Sequence, residues 1–278
     1  MLIKQLNDCN HFVTFFPLLI LLKKFYMAVL IFFIAHWYLS LFTQTFFYHR
    51  YVSHAAFTMS KAWERFFYIF SYIMQGSSYM SPRAYAIMHR MHHAYTDTEK
   101  DPHSPRFSSN VFAMMMRTNK IYMGIYNGTL QVDEKFTKNV PDWPAFDKWA
   151  LTWKSSIFWS LFYIGYYLLF ATAWWMYFLI PVHILMGPVH GTIVNWFAHK
   201  YGYTNFKMNN TSKNLLPLDF LMLGESYHNN HHKYPSSINF GGVRWHEIDP
   251  VYPVIRFLHW SGIIKLKSLS RKRVEVEF

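Results

Sequence analysis

The chain has 278 residues, 52% hydrophobic and 21% aromatic, with only 15% charged, which excludes an ordinary soluble domain with its roughly 25% charge. Its one cysteine, Cys9, excludes an internal disulfide and a cysteine-held iron–sulfur cluster. A net charge of +12 in so apolar a chain reads as Lys and Arg kept in cytoplasmic loops, with a share left for an anionic head group or an acidic redox partner; no nucleic acid is expected.

The N-terminal apolar stretch has no small-residue cleavage site, so it does not read as a signal peptide. Residues 11–22 are too short to cross a bilayer alone at about 1.5 Å per residue, and suit an interfacial helix or half of a compressed hairpin. Lys23 and Lys24 interrupt, and then 25–48, free of Asp, Glu, Lys and Arg, forms the first firm span. His49 and His54 sit at its end. Residues 63–79 contain Glu64, Arg65, Gln75 and Gly76, too interrupted to span, so they should lie along the interface. A cluster follows at His89, His92 and His93. Residues 95–153 are polar and rich in turn residues, a cytosolic connection with short helices.

Residues 155–198 form a run of 44 without a charged side chain, enough for two crossings. Residues 157–180 are expected to cross, Pro181 to mark the turn, and 182–197 to return. An even number of crossings brings His199 and the third cluster, His228, His231 and His232, back to the side of the first two. The implied outer loop, 174–183, has no Lys or Arg, as the positive-inside rule requires.

The clusters hold eight of the sixteen histidines. At i, i+3, i+4 on a helix, three imidazoles share a face and reach a common point. Imidazole is the commonest side-chain metal ligand, and eight are too many for one first-row ion but about right for two. His49 and His54, at i, i+5, stand about 140° apart on a regular α-helix and would each serve a different ion. Asp97, Glu99, Asp101 and His103 follow the second cluster, and Glu225 and Asp249 flank the third; carboxylates commonly accept the second N–H of ligating imidazoles. The isolated His11, His36, His183, His190, His246 and His259 read as packed or solvated residues.

His49-x4-His54, His89-x2-His92-His93 and His228-x2-His231-His232 resemble the three histidine boxes of the membrane fatty acid desaturases. The strings from Tyr95 to His103 and from Asn239 to Pro250 resemble the acyl-CoA Δ9 (stearoyl-CoA) branch, here of bacterial type. The segment Asn195-Trp-Phe-Ala-His199-Lys-Tyr-Gly202 resembles that branch's additional ligand segment. The resemblance covers about residues 25–260 of a single domain spanning 1–278, with 261–278 a basic and polar tail. It implies an all-α integral membrane protein with about four transmembrane helices, the first hairpin short, and a cytosolic helical cap. It also implies two Fe held by His49, His54, His89, His92, His93, His199, His228, His231 and His232, with Asn195 reaching one iron through water.

The activity so implied is O2-dependent insertion of a cis double bond into a fatty acyl chain, on acyl-CoA or another acyl carrier. Arg83, Arg90 and Arg244 are the candidates for the carrier's phosphates. Asp97, Asp101 and Glu225 would support the ligands. With no flavin or nicotinamide fingerprint, electrons are expected from a ferredoxin- or cytochrome b5-type donor with its reductase. The expected setting is the lipid of a bacterial cytoplasmic membrane, with the site on the cytosolic side. Two rivals exist: a related acyl or alkane hydroxylase, and a membrane metal transporter. A transporter would place its ligands near the bilayer midplane, not at span ends.

Overall fold

The computed structural model describes residues 27–267 and is mostly helical. The expectations for residues 11–22, and for the tail beyond 267, lie outside the described residues. Helix α1, Met27–Ser53, contains an apolar stretch long enough to cross a bilayer and ends as a π-helix over Gln44–Ser53. The chain then turns through Ala55, whose φ of 48° is left-handed, into strand β1, Phe57–Met59.

Helix α2, Lys61–Gln75, starts at Ser60, whose hydroxyl accepts from the Trp63 N–H. It buries Phe67, Tyr68, Ser71, Tyr72 and Gln75 on one face. Trp63, Phe66, Ile69 and Ile73 stay exposed on the other, an apolar stripe of the kind that suits a membrane surface. Gly76 closes it at φ 54°, where a Cβ would strike the Tyr163 hydroxyl. Helix α3, Pro82–Tyr95, is capped by Ser81 with Pro82 in its first turn. Helices α4 (Val111–Tyr126), α5 (Glu134–Thr137) and α6 (Pro144–Ala150) make the polar connection.

Helix α7 is Trp153–Phe170. A 3-10 turn over Trp174–Leu179 leads to α8, Ile180–Ile184, and α9, Met186–Asn195. The turn expected at Pro181 therefore lies ten residues earlier, at 171–173, and Pro181 sits in the first turn of α8, where a missing N–H costs nothing. The run around 171 carries no Gly or Pro to mark the break. The returning segment is bent by 72° between Trp174–Ile184 and Met186–His199. Among the described residues α1 alone is long and apolar enough to cross a bilayer, and the bent pair qualifies if taken as one span. His36, His183 and Tyr167 tie α1, α8 and α7 together: His36 Nδ1 meets His183 Nδ1 at 2.5 Å, and His183 Nε2 meets the Tyr167 hydroxyl at 2.9 Å. These isolated histidines are packed, as read from the sequence.

Helix α10, His228–Lys233, and helix α11, Val251–Trp260, complete the cap, and strand β2, Ile264–Leu266, pairs antiparallel with β1, Phe57 opposite Leu266. The core of the cap joins the π-helical end of α1 to α2, α3 and α11 through Phe46, Phe47, Tyr48, Tyr68, Ile87 and Ile255.

Asp147 of α6 is buried in this cap, accepting from the Tyr79 hydroxyl at 2.7 Å, and burial pushes its carboxyl up to about 6. A native value above the unfolded one (about 3.9) means the folded state binds the extra proton. This contribution to stability is complete below about pH 4 and is lost as pH rises through 6. A shift of about two units corresponds to about 3 kcal/mol. Asp147→Asn keeps an acceptor for Tyr79 without the charge, so it should gain stability relative to wild type between pH 4.5 and 7.5. Parallel melting curves for the two proteins at both pH values would exclude the effect.

Candidate metal centre

Helix α3 carries His89, His92 and His93, but they do not share a point. His89 and His93 stand about 40° apart on the helix, whereas His92 lies about 60° from His89 on its other side. The helix therefore straddles two sites. His89 and His93 join His49, His54 and His231, while His92 joins His199, His228 and His232. Helix α10 divides the same way, with His228 and His232 in the second group and His231 in the first.

His49 and His54 belong to one group, against the reading that each would serve a different ion. The cause is the π-helical end of α1. The His54 N–H donates to the His49 carbonyl at 3.1 Å, an i→i+5 bond, so residues five apart lie on one face. The α-helical angle used for the sequence does not apply there.

Within each group the Nε2 atoms face one another. In the first, His49–His231 is 2.9 Å, His231–His93 2.8 Å, His93–His89 3.0 Å and His89–His54 2.8 Å. In the second, His92–His232 is 3.2 Å, His232–His228 3.0 Å and His228–His199 3.0 Å. Two ligands at right angles, each about 2.1 Å from an ion, lie about 3 Å apart, and a tetrahedral pair about 3.4 Å. The spacing is that of imidazoles gathered round a common point in each group. Burial, and then the neighbouring imidazoles, push His54, His89, His93, His228, His231 and His232 well below the ordinary imidazole value, which leaves them neutral, the form that ligates.

The other ring nitrogens are held from outside. The Glu225 carboxylate takes His49 Nδ1 at 2.7 and 2.9 Å, and Asp101 Oδ1 takes His92 Nδ1 at 2.9 Å. His199 Nδ1 meets the Thr211 hydroxyl at 3.1 Å. Asp97 stands one step further out: it accepts from the Thr211 N–H at 2.5 Å and the Ser104 hydroxyl at 3.0 Å. Burial alone would raise the Asp97 carboxyl, but these bonds, with His199 nearby, hold it below its usual range. Glu99 is exposed, and its backbone carbonyl, not its carboxylate, accepts from Arg117.

Asp249 does a different job from supporting an imidazole. It pairs with the fully buried Arg50 at 2.6 Å, and Glu225 is 3.8 Å from the same guanidinium. The Phe240 ring lies 3.7 Å from the Arg50 carbon and packs on His49 and His231, which explains the string from Asn239 to Asp249. Sequence reasoning missed Arg50, although its place between two histidines of the first box was a signal. It also missed Glu247, which accepts from Asn230 at 2.9 Å, Asn205 at 2.6 Å and the Tyr203 hydroxyl at 2.8 Å, and so braces α10.

Of the arginines named for a head group, Arg90 donates to the carbonyls of Ser53, Phe136 and Lys138, tying α1 to the loop after α5. Arg244 donates to Asn205 and stacks on Tyr203. Arg83 faces Asp142 at 3.6 Å in a pocket of about 410 Å³ that also holds Lys148 and Asp147. Asn195, at the end of α9, lines a small cavity with His49, His89, His228, Glu225 and Tyr85. Leu41, Met88, Val194 and Met222 form its apolar walls.

The model of the family described as fatty acid desaturase matches residues 24–258. The "Delta-9 desaturase-like 2 protein" of Arabidopsis thaliana is 30% identical over 240 residues, covering 82% of this chain and 74% of the relative. "Delta-9 acyl-lipid desaturase 1" of the same plant is 30% identical over 81% of this chain and 72% of its own length. The "sn-1 stearoyl-lipid 9-desaturase" of Synechocystis sp. is 28% identical over 78% of this chain and 64% of its own length.

Proposed function

Since the chain belongs to the fatty acid desaturase family and is an oxidoreductase of its Δ9-desaturase-like kind, we propose that it inserts a cis Δ9 double bond into a fatty acyl chain at a di-iron centre. The observation that carries this reading is the convergence of nine Nε2 atoms into a group of five and a group of four. His49, His54, His89, His93 and His231 would hold one iron. His92, His199, His228 and His232 would hold the other, with Asn195 beside it through water. When bound, the pair supplies the O2 activation that an unactivated C–H bond requires, which acid–base chemistry cannot replace.

The protein's share is to hold and to exclude. Glu225 and Asp101 fix the rings of His49 and His92 by accepting their Nδ1 protons. Leu41, Met88, Val194 and Met222 present hydrocarbon to the cavity that His49, His89 and His228 also line, which limits water beside the imidazole groups. The reaction balances as –CH2–CH2– + O2 + 2 e⁻ + 2 H⁺ → –CH=CH– + 2 H2O. Two electrons must come from outside, from a ferredoxin- or cytochrome b5-type donor with its reductase.

Two of the relatives act on lipid-bound acyl chains by name, which supports a lipid carrier over the acyl-CoA expected from the resemblance. The pocket at Arg83 agrees with this. Its Arg83 and Lys148 are matched by Asp142 and Asp147, which leaves no surplus of positive charge for the several phosphates of CoA. We place the protein in a bacterial cytoplasmic membrane, crossed about four times, with α1 and the bent α8–α9 segment among the crossings and the centre on the cytosolic side.

The purified protein is expected to contain close to two irons per chain. Expressed in a host that lacks unsaturated fatty acids, it should restore a cis-Δ9 monounsaturated chain, read by gas chromatography. In vitro, supply of acyl-CoA or of a saturated phospholipid separates the carriers, and NAD(P)H without a donor protein should give no turnover. A dominant hydroxylated product would move the protein to the hydroxylase reading, and zinc in place of iron would end the di-iron one.

A further inference from the structure

His103 is buried, and neither of its ring nitrogens has a hydrogen-bond partner. Buried polar groups are nearly always paired, so an orphaned imidazole calls for an explanation. Its position narrows the explanation. The ring lies 4.2 Å, centroid to centroid, from His92, and it lines the same small cavity as His89, His228 and Asn195. The side chain is placed deliberately: Asp101 Oδ1, which takes His92 Nδ1 at 2.9 Å, also accepts the His103 backbone N–H at 3.1 Å. One carboxylate oxygen thus sets both a ligand of the four-histidine group and the backbone of His103.

A third cation site made by His92, Asp101 and His103 does not fit. His92 Nε2 faces His232, and its Nδ1 is given to Asp101, so His92 has no nitrogen left for another ion. The cavity measures about 40 Å³. A water needs at least about 10–15 Å³ of such space, so the cavity holds a ligand the size of two or three waters and no larger. A neutral imidazole offers one donor and one acceptor.

The geometry points to His103 as a positioning residue: we infer that its ring N–H donates to a small acceptor ligand held in this cavity beside the four-histidine group. The inference rests on the di-iron reading above, and it adds a binding role to a residue otherwise counted only as a follower of the second box. His103 is not itself a ligand in it, so removing the imidazole should leave the metals in place and loosen the small ligand.

The test uses azide, an anionic acceptor of suitable size, titrated optically into the oxidised, iron-loaded full-length protein. Iron per chain is measured first. A wild type without iron would defeat the di-iron reading, separately from this one. His103→Phe should keep both irons and bind azide at least tenfold more weakly, and His103→Gln, which retains an N–H, should recover part of that loss. Wild-type azide affinity in an iron-replete His103→Phe would overturn the inference. Loss of iron from both variants would overturn it too, since it would make His103 a support for His92 alone.

Discussion

His199→Ala should lose one of the two metal ions and essentially all turnover. The imidazole lies outside the three clusters, yet its Nε2 stands 3.0 Å from that of His228, inside the four-membered group. Removal leaves His92, His228 and His232 on that side. The same change at His93 leaves four imidazoles in the other group, so His199→Ala should be at least as severe as His93→Ala. Loss of a partner behind a ligand already costs about 10–100-fold in metal affinity, and loss of the ligand itself should cost more than about 100-fold. Thr211→Val, which removes only the hydroxyl that meets His199 Nδ1, should fall within that smaller range. Iron per chain and desaturation rate decide the matter. Full activity in His199→Ala would reduce the ligand set to eight.

The largest stability effect is expected at Arg50. Its side chain is fully buried and joins Asp249 at 2.6 Å, the Thr45 carbonyl at 3.3 Å and the Phe240 ring at 3.7 Å, with Glu225 at 3.8 Å. Arg50→Met keeps much of the volume and removes the charge, which leaves two buried carboxylates without their cation. Breaking one side of a buried pair costs about 3–5 kcal/mol, most of it the penalty of the stranded partner. Arg50→Met combined with Asp249→Asn removes both charges and should cost less than the sum of the single changes. Because Glu225 also holds His49, the single variant should bind iron more weakly even where it folds. Thermal unfolding of the three variants reads the coupling. An Arg50→Met protein that melts with wild type, or strictly additive losses, would show that the pair carries no such energy.

The grouping of the histidines was legible in the sequence because it depends first on residue type and number. Eight imidazoles in three clusters pointed to two ions, the resemblance added His199, and all nine stand in the two groups. The stretch at 63–79 was expected to lie along the interface because it is too interrupted to span; the apolar stripe of α2 became visible only in the fold. The division of the nine into five and four was not legible. It depends on how α3 and α10 are rotated about their axes relative to α1, which packing decides. The shared site of His49 and His54 depends on a π-helical end to α1, and the same residues on an α-helix would diverge.

The turn at 171–173 was hidden because hydropathy measures polarity, and an apolar chain can bend without becoming polar. Arg50 and Asp249 are 199 residues apart, and no local pattern predicts which buried cation meets which carboxylate. Residue chemistry and short-range spacing thus determined that this protein gathers its histidines. The partition of those histidines, the carboxylates that orient them and the charge buried behind them were decided by tertiary packing, because each depends on distances between segments that the chain's local geometry leaves free.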